Sequence, residues 1–321
     1  MPLVRWAFNI RQPLLLENVK PLVTCLTDGD ESKQNIVPVS NLLNYLPKVE
    51  ADALLQVRLE DDMRRALVGR LMVHAFFTAH HSCHWEELVF DCSESTSPVL
   101  IAPEPLKNVS FRISHHGDWV ILVGETEEDA NGSSSPVRLG VDVVDFQAPG
   151  HDHVSFESFS ASFQDQFTAK EMSFMAEASD SDDASSEPMA ENQLRRFYRL
   201  WCLKESIVKA LDVGIDFNLK SIEMTIQDTE ETQTPILSTV MEVHDPKPEL
   251  LPKEGWSFEE ALLDSDHCYA IAAQSSSSAS SPSSKEDSGA IMDGSEIKRV
   301  DWKELLQNAV PYPVTAAQAN L

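Results

Sequence analysis

Two charged side chains, Glu205 and Lys209, stand four residues apart in the stretch RRFYRLWCLKESIVKAL, residues 195–211. On a helix this spacing projects both side chains from one face. A carboxylate and an ammonium placed in this way could hold a metal ion and a phosphate side by side. The same spacing also describes a solvated ion pair that contributes only about 0.3–0.5 kcal/mol to stability. The pair alone leaves both interpretations open.

Asp142 is a second candidate because it lies between branched residues in the short stretch GVDVVDF, residues 140–146. A buried carboxylate is costly unless it is paired or ligates a cation. Side chains alternate along a strand, so Asp142 and Val144 face one way and Asp145 faces the other. We therefore expect Asp142, and not Asp145, to share a site with other polar groups.

Phosphate-binding side chains are found in two further stretches. Ser114 and His115 end the first strand of the hairpin-like sequence FRISHHGDWVILVG, where they either bind phosphate or cap the turn. Arg64, Arg65 and Arg70 lie in DDMRRALVGRLMVHAFF, residues 61–77, and a guanidinium matches the geometry of a phosphate. Read alone, these arginines are more simply explained as surface charges.

These candidates require helices and strands to position them. Residues 195–211 and 61–77 are predicted as helices because their apolar residues recur every three or four positions. Runs of branched and aromatic residues predict strands at 4–10, 111–124, 140–146, 219–226, 236–243, 255–263 and 268–273. A helical region is predicted at 156–178, and residues 297–306 are expected to dock on the body through apolar side chains, namely Val300, Trp302, Leu305 and Leu306.

Composition limits the class of protein. The chain has 321 residues, 42% of them hydrophobic, and a formal net charge of −27, which opposes non-specific binding to nucleic acid or to an anionic membrane. Five scattered cysteines are predicted to be free thiols in a reducing compartment. No apolar run approaches the roughly 20 residues of a membrane span, and Arg5 and Arg11 interrupt the apolar start. We expect a cytoplasmic protein whose polyanionic ligands need a local basic pocket.

Taken in order, FRISHHGDWV, GVDVVDF and WCLKESIVKA resemble the motifs of the Sfp-type 4′-phosphopantetheinyl transferases, broad-range enzymes that activate carrier proteins. The stretches VRWAF, RRALVGRLM, FTAKE and FEEALLDSDHCYAIAA are similar to segments of the eukaryotic members. The resemblance covers about residues 3–274. The serine-rich insertions and the tail look like elaborations found in fungal members.

The resemblance implies an α+β fold of two similar α/β halves, related by pseudo-twofold symmetry, with the active site in the cleft between them and a monomeric state. The expected subdomains are residues 1–137 and 138–274, the latter with an acidic insertion at 179–191. A serine-rich disordered linker at 275–295 and a tail element at 296–321 are expected to follow.

The resemblance also implies the reaction. The 4′-phosphopantetheine arm of coenzyme A moves to a serine of an apo acyl or peptidyl carrier protein, adenosine 3′,5′-bisphosphate is released, and Mg²⁺ is required. Asp142 and Glu205 match the magnesium ligands, and Lys209 matches the lysine that contacts the pyrophosphate. Chemically, Glu205 is the most plausible acceptor of the serine proton.

Coenzyme A contacts follow from the same motifs. Ser114 and His115 match residues that touch its phosphates, and Arg65 matches the arginine that holds its 3′-phosphate. Expected carriers belong to polyketide synthases, non-ribosomal peptide synthetases, the aminoadipate reductase of lysine biosynthesis, or fatty-acid synthase.

Two departures from the family pattern concern the phosphates and the metal. Bacterial members carry a second acid where this chain has Val144, so a water must complete the shell of the ion, which magnesium tolerates. The Gly-Lys-Pro triplet of the family is replaced by Ser97-Pro98. Its lysine is therefore missing or displaced to Arg112 or Lys107.

Two other functions are alternatives to arm transfer, although the first would predict the loss of Asp142, Glu205 or Lys209, and all three are present. One is a non-catalytic adaptor that binds coenzyme A or a carrier protein without transfer. The other is a metal-dependent phosphohydrolase with water as the nucleophile.

Overall fold

The computed structural model describes residues 3–15, 38–91, 98–126, 138–147, 156–177, 191–214, 216–227, 231–245, 251–275 and 292–312. Its strands are β1 (Val4–Asn9), β2 (Val89–Asp91), β3 (Val99–Ala102), β4 (Phe111–His116), β5 (Trp119–Gly124), β6 (Arg138–Asp145), β7 (Ile222–Thr225), β8 (Val240–Val243), β9 (Trp256–Leu262), β10 (His267–Gln274) and β11 (Lys298–Arg299). Its α-helices are α1 (Lys48–Leu54), α2 (Glu60–His80), α3 (Phe156–Ala161), α4 (Ala169–Ala176), α5 (Glu191–Leu211) and α6 (Trp302–Leu305). Short 3-10 helices occur at Val39–Tyr45, Trp85–Glu87, Glu104–Leu106 and Leu219–Ser221.

The chain forms two compact units. The first unit comprises Met1–Arg5, Val109–Gly117 and Val123–Ile297, and the second comprises Trp6–Asn108, Asp118–Leu122 and Lys298–Leu321. Both units mix helices with strands, so the mixed α/β character expected from the sequence is confirmed. The pseudo-twofold relation and the subdomain boundaries stay predictions.

The first unit is built around an antiparallel sheet in the order β6-β10-β9. Helix α5 packs on β6 and β10. Its predicted apolar face lies in the core, where Phe197, Leu203 and Ile207 are each at most 2% exposed. Antiparallel β7 and β8 form a separate ribbon. This packing fixes which side of α5 remains near solvent.

The second unit joins distant parts of the chain. In its sheet β1 lies between β11 and β5, and β11 runs parallel to β1, with Trp6 opposite Lys298. Trp302 packs edge-on against Phe8 with a ring-centroid distance of 4.6 Å, and its Nε1 donates to Gln12 O at 3.1 Å. The predicted docking of the tail is therefore confirmed, because all four of its apolar anchors are buried: Val300, Trp302, Leu305 and Leu306.

Several regular elements follow the sequence patterns, but the strands predicted at 219–226 and 236–243 are shorter, because Leu219–Ser221 forms a 3-10 helix and β8 begins only at Val240. The predicted helices at 195–211 and 61–77 are confirmed and extend to Glu191–Leu211 and Glu60–His80. The predicted hairpin at 111–124 consists of β4 and β5. The acidic insertion up to residue 190 and the serine tract at 276–291 lie outside the described residues.

The last residues of the predicted linker are described, and they pack on the first unit. Met292 is 4% exposed, and Asp293 Oδ1 forms an ion pair with Nη2 of the buried Arg5 at 3.2 Å. Arg5 also binds the fully buried Glu259 at 2.9 Å. Any linker therefore ends before Met292. None of the helices in the described part of the chain combines the length and apolar character needed to cross a membrane.

Candidate active site

A stripe of partly exposed side chains runs along α5. Trp201, Glu205 and Lys209 lie on it at four-residue spacing, while the residues on either side of them are buried. The shared face predicted for Glu205 and Lys209 is therefore present. Because the neighbouring residues 202–204, 206–208 and 210 are buried, this stripe is the part of the second half of α5 that a ligand can approach.

Lys209, Ser114 and Asp142 form a closed polar cluster within the first unit. Lys209 Nζ forms a salt bridge with Asp142 Oδ1 and donates to Ser114 Oγ at 2.8 Å. Ser114 Oγ in turn donates to Asp142 Oδ1 at 3.1 Å. Asp142 is 6% exposed and Ser114 is 5% exposed. The sequence argument that a buried Asp142 needs partners is confirmed, and two of the residues matched by motif supply them.

Glu205 faces the same cluster. Burial raises the pKa of its carboxyl, the negative charge of Asp142 raises it further, and the Lys209 ammonium lowers it. The two carboxylates thus repel each other in the absence of a cation. A site of this kind attracts a divalent ion, and a carboxylate with a raised pKa is also a stronger proton acceptor.

Gly140 explains how α5 comes close enough to β6 to build the cluster. A Cβ on Gly140 would lie 1.8 Å from Ser206 O and 2.6 Å from Ala210 N, both backbone atoms of α5. Any larger residue would push the helix off the strand that carries Asp142. The glycine of the GVDVVDF stretch is therefore required by helix–strand contact and not by a turn.

We predict that Gly140→Ala lowers the free energy of unfolding by at least the roughly 1–3 kcal/mol typical of overpacked cores and lowers activity as α5 shifts. Urea unfolding and a transfer assay measure the two effects. Gly214→Ala is the control: nothing lies within 4 Å of its added carbon, so its φ of +70° should cost about 1–2 kcal/mol of backbone strain without displacing α5. Equal effects at the two glycines would contradict this role.

Asp145 lies beside the turn that follows β4. Gly117 has a φ of +53°, and a Cβ there would lie 2.6 Å from Asp145 Oδ2 and 2.3 Å from His267 Nε2. The Asp145 N–H donates to His116 Nδ1 at 3.0 Å. Asp145 is thus engaged at the turn, in agreement with its predicted separation from Asp142. His115 is exposed on β4, so its predicted contact with coenzyme A stays a prediction.

Arg65 lies on α2 in the second unit. It is half-buried and forms a close ion pair with Asp62 one turn earlier. Its neighbour Arg64 donates to Ile10 O at 3.1 Å. The structure thus explains how these arginines are held, and the assignment of Arg65 to the 3′-phosphate stays a prediction.

Sequence reasoning missed Lys204, which precedes Glu205. It is fully buried, forms a 2.8 Å salt bridge with Glu171 Oε2, and donates to three main-chain carbonyls: Gln166 O, Leu219 O and Ile222 O. Glu171 in turn accepts from the N–H groups of Thr168 and Met224, both at 2.8 Å. A charged residue on the apolar side of a predicted helix was the available signal, but its partner could not be read from the sequence.

The donor set fits a magnesium ion. Magnesium is commonly held by one or two carboxylates, substrate phosphates and water, and Asp142 and Glu205 provide two carboxylates at one place. Val144, where bacterial members have an acid, belongs to the hydrophobic core. Within the ranges that the structure describes, no group of three or more His, Cys, Asp or Glu side chains is arranged to hold a metal.

Comparison with known proteins agrees with this geometry. A family described as "4′-phosphopantetheinyl transferase, N-terminal" matches residues 37–127, and one described as "4′-phosphopantetheinyl transferase superfamily" matches residues 138–270. The second match includes β6 and α5, which carry Asp142, Glu205 and Lys209.

Individual relatives carry the same name. The chain is 25% identical over 260 residues to a phosphopantetheinyl transferase of Thraustochytrium sp., covering 81% of this chain and 76% of the relative. It is 26% identical to the L-aminoadipate-semialdehyde dehydrogenase-phosphopantetheinyl transferase of Mus musculus, over 78% and 74% of the two chains. The Xenopus laevis protein of that name is 30% identical over 66% and 62%. The two family matches together span more than two thirds of the sequence, and the chain belongs to the 4′-phosphopantetheinyl transferase superfamily.

Proposed function

We propose that this protein transfers the 4′-phosphopantetheine arm of coenzyme A to a serine hydroxyl of apo carrier proteins and releases adenosine 3′,5′-bisphosphate. The observation that carries the proposal is the cluster of Lys209, Ser114 and Asp142, with Glu205 on the same helix face. These are residues that the family motifs match, and their buried hydrogen bonds hold them in a fixed arrangement.

Each side chain has a role in this reaction. The carrier serine oxygen forms a bond to the phosphorus that bears the pantetheine arm, and its proton passes to the Glu205 carboxylate. The bond from that phosphorus to the oxygen of the adenosine 3′,5′-bisphosphate group breaks, and the leaving group keeps the electron pair. Lys209, fixed through Ser114, is placed to neutralise the charge that develops on the leaving oxygen.

We propose Mg²⁺ as the required ion, held by Asp142 and Glu205. When bound, it supplies charge neutralisation on the diphosphate. The chemistry of the donor set supports this choice, because two carboxylates with no sulfur or imidazole favour a hard cation.

Carrier choice follows from the relatives. Two of them carry L-aminoadipate-semialdehyde dehydrogenase in their names, so we propose the carrier domain of aminoadipate reductase as one partner. Carrier domains of polyketide synthases and non-ribosomal peptide synthetases are further proposed partners. We also propose a cytoplasmic monomer with two related halves.

The decisive experiment is intact-mass measurement of an apo carrier protein incubated with this protein, coenzyme A and Mg²⁺, beside a sample with chelator. We expect a Mg²⁺-dependent gain of one arm, roughly 340 Da, on the carrier serine. Coenzyme A binding without any gain on several carriers would instead support an adaptor. Cleavage of coenzyme A in the absence of a carrier would support a phosphohydrolase.

Arg65→Ala tests the 3′-phosphate assignment. We expect the KM for coenzyme A to rise about tenfold or more, while the KM for dephospho-coenzyme A, which lacks the 3′-phosphate, stays within about twofold. Steady-state kinetics with both substrates measure this difference. Equal losses for the two substrates would place Arg65 elsewhere.

A further inference from the structure

Arg112 lies beside the cluster of Lys209, Ser114 and Asp142. Its positive charge has no role in the reaction described above. Arg112 lies two residues before Ser114 on β4, so both side chains leave the same face of the strand, about 7 Å apart along it. Its Nε donates to Lys209 O at 3.1 Å, and its Nη1 donates to Phe111 O at 2.9 Å. The guanidinium is thereby held next to the residue that is proposed to meet the pyrophosphate.

The guanidinium of Arg112 keeps its positive charge available. Several other arginines of the described chain are neutralised by acids, for example Arg5 by Glu259 and Arg199 by Glu260. The polar contacts of Arg112 are main-chain carbonyls, which use two of its five N–H groups. Its side chain is half-buried, so part of it remains accessible to a ligand. The Asp212 carboxylate attracts the guanidinium electrostatically, but none of the described acids forms a salt bridge with it. In a protein of net charge −27, a guanidinium held next to a polar cluster in this way is well suited to an anion.

Charge balance in the cluster favours the same role. Asp142 and Lys209 neutralise each other as an ion pair, which leaves the Glu205 carboxylate without a matching cation. A diphosphate adds two negative charges to that of Glu205, which makes three. One divalent ion cancels two of these three charges. One more positive charge is needed for neutrality, and Arg112 is the nearby side chain that provides it.

We propose that Arg112 binds the diphosphate of the coenzyme A substrate and takes the place of the family lysine that this chain lacks. Lys107, the alternative left open by the sequence, belongs to the second unit and is paired with Glu104. The proposal rests on the proposed function, because it assigns a residue to the substrate of that reaction.

The test compares Arg112→Gln with Arg112→Lys and with a matched control, Arg196→Gln. Arg196 is also half-buried, lies on α5, and donates to main-chain carbonyls, those of Phe174 and Glu177. We expect Arg112→Gln to lower kcat/KM about ten- to a hundredfold, equally for coenzyme A and dephospho-coenzyme A. Arg112→Lys should recover most of the loss, and Arg196→Gln should leave kcat/KM near that of the wild type.

Several outcomes would overturn the proposal. A lower Tm for Arg112→Gln with unchanged kcat/KM would show that Arg112 only caps the end of α5. A loss limited to coenzyme A would move it to the 3′-phosphate, and the absence of rescue by lysine would exclude a charge effect. Wild-type protein that transfers no arm would contradict the proposed function itself, whereas an active wild type with an unaffected Arg112→Gln variant would contradict this inference alone.

Discussion

Glu205→Gln and Asp142→Asn are each expected to reduce arm transfer by about a hundred- to ten-thousandfold, the range that a general base or a charge-stabilising group commonly supplies. Both substitutions preserve side-chain size and remove the negative charge. Glu205→Gln removes the proton acceptor, and Asp142→Asn removes the charge that holds Lys209 beside Ser114. Each substitution also removes one of the two proposed metal ligands.

The measurement is the initial rate of mass gain on an apo carrier, made at several Mg²⁺ concentrations and accompanied by thermal unfolding. Glu191→Gln provides a matched control, because Glu191 is an exposed acid in the first turn of the same helix and pairs with Arg195. It should change the rate by less than about twofold, as expected for an exposed ion pair. Wild-type rates in Glu205→Gln would remove both the base and the metal-ligand assignment.

Lys204→Met is expected to lower the free energy of unfolding by about 3–5 kcal/mol, the cost usual for breaking a buried ion pair by removing one partner. The variant leaves the fully buried Glu171 without its cation and three carbonyls without their donor. Because Lys204 joins α5 to the segments on either side of it, its loss should also disturb Glu205, the next residue on the helix.

Urea unfolding of four proteins tests this prediction: the wild type, Lys204→Met, Glu171→Gln and the double variant. The double variant should lose less stability than the two single losses combined, because neither buried charge remains alone. Lys220→Met is the control, since Lys220 is 44% exposed and lies 3.9 Å from Asp165; its effect should stay within about 0.5 kcal/mol. A loss below about 1 kcal/mol for Lys204→Met would contradict a structural role.

Local patterns were sufficient to predict most of the site. The spacing of apolar residues predicts α5 and therefore the shared face of Glu205 and Lys209, and the cost of burying a carboxylate identifies Asp142. Alternation along β6 separates Asp145 from it correctly. These inferences succeed because each depends on residues within one element.

Long-range pairings could not be predicted in the same way. Glu171 and Lys204 form a salt bridge although the acidic insertion lies between them in the sequence. No local pattern around either residue predicts the other as its partner. The choice between Arg112 and Lys107 likewise depends on which compact unit each belongs to. The contact that requires Gly140 is with the backbone of α5, some 66 residues later in the chain.

The parallel pairing of β11 with β1 has a consequence for biosynthesis. Residues 6 and 7 are synthesised nearly three hundred residues before their partners, Lys298 and Arg299. At the usual ribosomal rate of about 5–20 residues per second, this interval is on the order of 15–60 s. During that time Phe8 lacks the Trp302 ring that covers it in the finished protein. The second unit therefore completes its fold only after this late segment has been synthesised, and β1 lacks its β11 partner until then.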